Sequence, residues 1–253
     1  MRKIKFQNGE YYHVFNKGVA GQNIFKEEKD FAKFIYKIKD HNNVLSMDVR
    51  KVAGHLDAGH SVSRDTECRE DQRHPVSLDT GCPETYPSSR DTRCLGTPSV
   101  LTKDTECLVE FICYSLVPNH YHFILRQLVN QGISKFIHKL EMGYAKYFNR
   151  KYSRLGALFQ GKFQAVHIKT NEYVLYLSGY ANGNVEIHKI AKAKEWKWSS
   201  YKDYLGLRSG TLCNKKIILD QFKNVEDYGK YVKMVIENSG KRKDEMRKCL
   251  LDI

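Results

Sequence analysis

Large apolar residues recur along this chain in two rhythms, every second residue and every third or fourth, and the alternation between them gives the order of elements. Glu10–Phe15, EYYHVF, is rich in aromatic and β-branched residues and predicts a strand, closed by Asn16-Lys17-Gly18. From Lys26 to about Asp40 the apolar positions Phe31, Phe34, Ile35 and Ile38 fall three and four apart, which predicts an amphipathic helix with one face on a sheet. Leu108–Leu116, LVEFICYSL, predicts a second strand. Leu116–Leu125, LVPNHYHFIL, predicts a third, entered through a Pro118-Asn119 turn so that the two pair as neighbours. Ser134 reads as the cap of a helix carrying Phe136, Ile137, Leu140, Tyr144, Tyr147 and Phe148, with Lys135, Lys139, Lys146, Arg150 and Lys151 also on it.

Gly156 stops that helix, and Ala157–Ile168 predicts a fourth strand with Gly161 at a bulge or turn. Asn171–Tyr180 predicts a third helix, capped by Thr170 or Asn171. Its continuation is expected to be soft, because Gly179 and Gly183 each cost about 1 kcal/mol relative to Ala in a helix interior. Trp196–Tyr201 reads as an aromatic anchor for the chain end, and a last helix is expected near Val225–Glu237, without evident chemistry. The resulting βαββαβ order predicts an α+β fold, a ferredoxin-like antiparallel sheet with an added C-terminal helix.

Between Val52 and about Thr105 the rhythm is lost. This stretch is rich in Ser, Thr, Asp, Gly, Arg and Pro, and the units SRDTEC, SLDTGC, SRDTRC and TKDTEC place cysteines at 68, 82, 94 and 107. Too little apolar surface is available there to offset the ordering entropy, so residues 53–106 read as an inserted, mostly disordered loop, dispensable for folding. The expected organisation is a domain over residues 1–206, interrupted by that loop, and a helical extension over 207–253 ending in the solvated basic stretch GKRKDEMRK. The seven cysteines form an odd set with no C-x-x-C pair, which argues for free thiols over a disulfide framework; a four-cysteine metal site in the repeat is the alternative.

Charge narrows the class of partner. Across 253 residues, 42 Lys and Arg against 29 Asp and Glu leave a formal charge of +13. A polyanion is the leading partner, because neutralised phosphates release condensed counterions. No run reaches the length of a membrane-spanning helix, and MRKIKFQNGEYY lacks the apolar core of a secretory signal. A location inside the cell is expected, cytoplasmic and nucleoid-associated, with no membrane partner and a monomer or homodimer as the assembly.

Period-two alternation in the third strand puts His120 and His122 on one face and Tyr121 and Phe123 on the other. Two convergent imidazoles suit Mn²⁺, Zn²⁺ or another transition ion, whereas Mg²⁺ would take mostly oxygen and water. Two ordinary strand histidines are the alternative reading.

Five segments in this order, YHVFNKG (12–18), VEFICYSLVPNHYHFIL (109–125), KYFNRKYSRLGALFQGKF (146–163), EYVLYLSGYANGN (172–184) and WSSYKDYLG (198–206), resemble the single-tyrosine HUH transposases, in particular the REP-associated type. The resemblance implies that His120 and His122 bind a divalent metal ion, Mg²⁺ or Mn²⁺, and that Tyr180 is a nucleophile. The family segment Tyr-x-His-x-Asn-Pro reads here Tyr180-Ala181-Asn182-Gly183-Asn184-Val185, keeping the tyrosine and the asparagine and losing the histidine and the proline. Tyr180 and Asn184 lie four apart on a helix and share a face, so the Asn184 amide oxygen can complete the metal site. The implied activity is a single-strand DNA endonuclease and strand transferase acting through a 5′-phosphotyrosine on hairpin or repeat DNA. A non-catalytic nucleic-acid-binding module on the same sheet is the alternative. Expected DNA contacts are Asn16, Lys17, Arg150, Lys151, Arg154, Gln160 and Lys162. Among sixteen tyrosines, Tyr144, Tyr147 and Tyr152 compete with Tyr180 for the nucleophile's role.

Overall fold

A computed structural model describes residues 4–42 and 107–239; the cysteine-bearing repeat and the terminal basic stretch lie outside the described residues. The first strand, β1 (Tyr11–Lys17), runs two residues past its expected end, because Asn16 and Lys17 still pair with Tyr121 and His120. Helix α1 (Glu28–His41) begins at a capping box in which the Glu27 and Asp30 side chains each accept from the other's backbone N–H. The next strands, β2 (Val109–Val117) and β3 (His120–Gln127), form the expected hairpin across Pro118-Asn119. That turn is braced: the Pro118 carbonyl accepts from the N–H groups of Ile24 and Phe25 at 2.8 and 2.9 Å, and the Asn119 carbonyl from that of Gly18 at 2.8 Å.

Helix α2 (Gly132–Lys151) starts two residues before the expected Ser134 cap. Its cap is Gln131 in the left-handed region (φ 59°), and Gly132 is needed because a Cβ there would collide with the Leu108 carbonyl oxygen. Only the second half of the expected fourth strand forms, as β4 (Gln164–Ile168). Ahead of it the chain turns at Gly161 (φ 68°), and residues 158–160 bond the end of β1 instead, with Gln160 N–H donating to the Lys17 carbonyl at 2.8 Å. Helix α3 (Asn171–Ile187), capped by the Thr170 hydroxyl, runs unbroken through both glycines. Short helices α4 (Tyr201–Tyr204) and α5 (Lys216–Leu219) lead to α6 (Val225–Asn238).

The four strands form one antiparallel sheet in the order β2-β3-β1-β4. One face carries Tyr12, Val14, Phe111, Tyr121, Phe123 and Leu125 against Phe31, Phe34 and Ile38 of α1 and Phe136, Leu140 and Tyr144 of α2. The other carries Ile112, Cys113, Val117, Ile124 and Ile168 against Val174, Leu177, Ala181 and Val185 of α3, with Tyr228 and Val232 of α6 in the same cluster. A bulge between Phe111 and Cys113 lets the adjacent Ile112 and Cys113 both enter this second core. The outer edge of β2 is covered as the aromatic anchor required: Leu116 N–H donates to the Trp198 carbonyl, and Trp196 Nε1–H to the Leu116 carbonyl, each at 2.9 Å. Among the described residues no helix is long and apolar enough to cross a membrane, and Cys107, Cys113 and Cys213 form no disulfide.

Candidate metal centre and active site

Alternation along β3 turns His120 and His122 toward α3 and Tyr121 toward α2, where its hydroxyl donates to Glu141 Oε1 at 2.7 Å. Both imidazoles are buried, with ring centroids 5.0 Å apart. Their inner nitrogens are held: His120 Nδ1 lies 2.7 Å from Asn119 Oδ1, and His122 Nδ1 lies 2.9 Å from His13 Nε2. An amide oxygen can only accept, so His120 carries its proton on Nδ1 and its Nε2 is a bare lone pair. Neither Nε2 has a hydrogen-bond partner. Burial pushes the pKa of His13 and of His120 down to about 3 and that of His122 well below its ordinary value, so all three rings are neutral near pH 7.

Asn184, on α3, is fully buried beside this pair, and neither atom of its amide has a hydrogen-bond partner. It lies near enough to His120 to offset a little of the burial effect, without hydrogen-bond geometry. One turn earlier Tyr180 sets its ring edge-on to His122, centroids 5.8 Å apart at 83°, and packs on Phe15 and Val235. His188, one turn after Asn184, brings its ring centroid to 5.1 Å from His120. Among the described residues no group of three His, Cys, Asp or Glu side chains is placed to hold a metal ion. The donors here that could hold a metal ion are the two imidazole Nε2 atoms and the Asn184 amide oxygen. Neutral imidazole donors fit a transition ion such as Mn²⁺ or Zn²⁺ better than Mg²⁺, which takes mostly oxygen and water.

The departures from the family segment find places in the packing. Asn182 Nδ2 donates to the Tyr228 hydroxyl and its Oδ1 accepts from Ser200 Oγ, both at 2.7 Å, so this side chain ties α3 to α6 and the Ser200 segment. Gly183 faces Ile236 of α6, where an added Cβ would stand 2.5 Å from Cγ1. Val185 is buried core, and the helix continues two residues beyond it.

A pocket beside the histidines is lined by Phe15, Asn16, Lys17, His120, Tyr121, His122, Gln160 and Gln164. It thus gathers Lys17 and Gln160 from among the expected DNA contacts. Asn16 is there too, but it is buried and its amide is occupied: Nδ2 donates to Glu141 Oε1 at 2.8 Å and Oδ1 accepts from Lys17 N–H. Lys151 is likewise committed, bonding Asp30 and Glu27 at 2.6 Å each. Arg154 donates to Asn149 Oδ1 and the Ala157 carbonyl, ordering its own loop, while Arg150 and Lys162 are exposed.

The rival tyrosines lie on the other side of the sheet from His120 and His122. Tyr144 is buried under α1 with its hydroxyl donating to the Ile24 carbonyl at 2.6 Å, and Tyr147 and Tyr152 donate to Asp30. His13 was not among the expected site residues. Alternation in EYYHVF does place it on the face of Phe15, and Phe15 pairs with His122, but only the strand register brings the two rings together.

The sequence profile described as "Transposase IS200 like" matches residues 97–184. No curated protein matches the chain. Among solved structures, a chain from "Structure of the REP associates tyrosine transposase bound to a REP hairpin" aligns at 11% identity and a TM-score of 0.46, covering 85% of this chain and 90% of that one. The matched segment, about a third of the chain, holds His120, His122, Tyr180 and Asn184 together, and over that segment the chain is similar to the IS200-like transposases.

Proposed function

We propose that this chain cleaves and rejoins single-stranded or hairpin DNA through a covalent bond between Tyr180 and a 5′-phosphate. The observation that carries the reading is that His120 Nε2 and His122 Nε2, on rings 5.0 Å apart, are buried without partners, with the unpartnered Asn184 amide beside His120 and the Tyr180 ring edge-on to His122. The sheet reads as ferredoxin-like, supported by the βαββαβ order and the strand sequence β2-β3-β1-β4.

A phenol with an ordinary pKa near 10 is a weak nucleophile at neutral pH. A divalent ion held by His120, His122 and Asn184 would withdraw charge from a non-bridging phosphate oxygen and favour the phenolate. Tyr180 supplies the attacking oxygen: a bond forms from it to phosphorus, the bond from phosphorus to the 3′ oxygen breaks, the phenolic proton leaves to solvent and the departing 3′ oxygen takes up a proton from solvent. The products are a 5′-phosphotyrosine and a free 3′-hydroxyl. Because the ester stores the cleaved bond, a second 3′-hydroxyl can reverse the step without ATP. Lys17, Gln160 and Lys162 near the pocket, with Arg150 and Arg154 at the end of α2, are the phosphate contacts we favour, while Asn16 and Lys151 brace the scaffold.

The test is covalent trapping. Wild type and Tyr180→Phe are mixed with labelled hairpin DNA and Mn²⁺, denatured, and examined for protein-linked label. Wild type should form the adduct. Tyr180→Phe should form none yet bind single strands nearly unchanged, since only one oxygen is lost. Absence of any wild-type adduct across many hairpins would favour a DNA-binding module instead.

A further inference from the structure

We propose that His13 is a positioning residue for the metal centre: its Nε2 accepts the Nδ1–H of His122 and so holds the His122 Nε2 lone pair bare for the ion. The inference rests on the metal reading given above. Both rings are buried and nearly stacked, with centroids 5.1 Å apart at 18°, and the two nitrogens are 2.9 Å apart, so one proton lies between them. If that proton sits on His13, neutral His122 must carry its own on Nε2, where an ion would bind. If it sits on His122, Nε2 is free and His13 takes its proton on Nδ1. That atom is buried without a partner, so each arrangement leaves one N–H unsatisfied and the pair is evenly poised. A cation at Nε2 breaks the tie, and does so only if Nδ1–H has an acceptor.

His120 shows the same device with a different acceptor. There Asn119 Oδ1 stands 2.7 Å from Nδ1 and fixes the tautomer outright. Metal-ligating histidines generally donate their second N–H to such a partner, and losing it costs roughly 10- to 100-fold in metal affinity. His13 supplies it from β1, two residues along from Phe15, the strand partner of His122.

The experiment compares wild type, His13→Phe and His13→Gln. His13→Phe keeps a flat ring in the core and removes the acceptor; His13→Gln returns an amide oxygen, as Asn119 provides for His120. By calorimetry, Mn²⁺ affinity should fall roughly 10- to 100-fold in His13→Phe and recover in His13→Gln, while metal-free thermal stability of His13→Phe holds or rises. In zinc-loaded protein, nitrogen-15 spectra should place the His122 proton on Nδ1 and the His13 proton on Nδ1. Wild-type affinity in His13→Phe, or His13 protonated on Nε2 in the zinc-loaded protein, would overturn the assignment while leaving the metal centre standing. Failure of wild type to bind Mn²⁺ or Zn²⁺ at all would remove both.

Discussion

The two faces of the one sheet are built to opposite rules. Under α1 and α2 the buried Asp30 carboxylate is fully used: it accepts from Lys151, from the Tyr147 and Tyr152 hydroxyls and from the N–H groups of Lys26 and Glu27. Under α3 the side-chain atoms His13 Nδ1, Ser115 Oγ, His120 Nε2, His122 Nε2 and both amide atoms of Asn184 are buried with no partner. A buried donor or acceptor left unmade costs about 1–3 kcal/mol. The contrast between the saturated Asp30 and the unpartnered atoms under α3 is what the proposed metal reading would explain, an ion there supplying partners to His120, His122 and Asn184.

Removing the donors should break that contrast most severely. In His120→Ala with His122→Ala, cleavage of labelled hairpin DNA should drop by about three orders of magnitude or more, because the polarising charge is lost with its ligands. Retained Mn²⁺ binding in this variant, measured by calorimetry, would move the centre elsewhere.

Acid should separate the faces in different windows. Burial depresses the folded pKa of His13, His120 and His122 below the unfolded value near 6.5. As pH falls below about 6.5 the unfolded chain takes up protons that the folded chain refuses, so stability declines, with a slope of about 1.4 kcal/mol per pH unit for each such histidine. Asp30 acts lower. Burial raises its pKa, but Lys151, Tyr152 and the backbone donors outweigh that and hold it below the ordinary carboxylate value. Its contribution is therefore complete above about pH 4 and is lost as pH falls through the folded value. Metal-free urea titrations should show the decline from pH 6.5, flattened in the double histidine variant; a flat wild-type profile between pH 6 and 4 would contradict the neutral cluster. Asp30→Asn should cost about 1–3 kcal/mol at pH 7, because an amide NH₂ replaces one acceptor oxygen and leaves the donors that faced it unpartnered, measured in the same assay, and should leave the metal affinity unchanged.

How much of this could be read from the residues follows from the range of each interaction. Period-two alternation gave the His120–His122 pair, the resemblance singled out Tyr180, and helical spacing put Asn184 on its face, because alternation and spacing are local. The turn at Gly161 was legible, but the starts of β4 and α2 were misplaced, since Phe159 bridging to Gly18 and Gly132 lying against the Leu108 carbonyl are contacts between distant segments. His13 went unnoticed for the same reason: 109 residues separate it from His122. Gly179 and Gly183 were misread because propensity counts the entropy of a helix and ignores what packs on it.

That misreading sets up the smallest and sharpest test. By propensity alone Gly183→Ala should stabilise α3 by about 1 kcal/mol. The packing predicts the reverse, since the new Cβ would stand 2.5 Å from Ile236 Cγ1 and 3.0 Å from Cδ1, and overpacking of this kind costs roughly 1–3 kcal/mol. Ile236 is only partly buried and can yield somewhat, so the expected net loss is about 1 kcal/mol. Gly179→Ala meets Val235 Cγ2 at 3.0 Å and should lose less. Because Asn184 follows Gly183 directly, any tilt of α3 away from α6 moves the amide against His120, so Mn²⁺ affinity should fall with stability in Gly183→Ala and hold in Gly179→Ala. Urea unfolding and calorimetry on the two variants decide it: a Gly183→Ala protein more stable than wild type, binding Mn²⁺ as tightly, would show that α6 does not set the position of the third ligand.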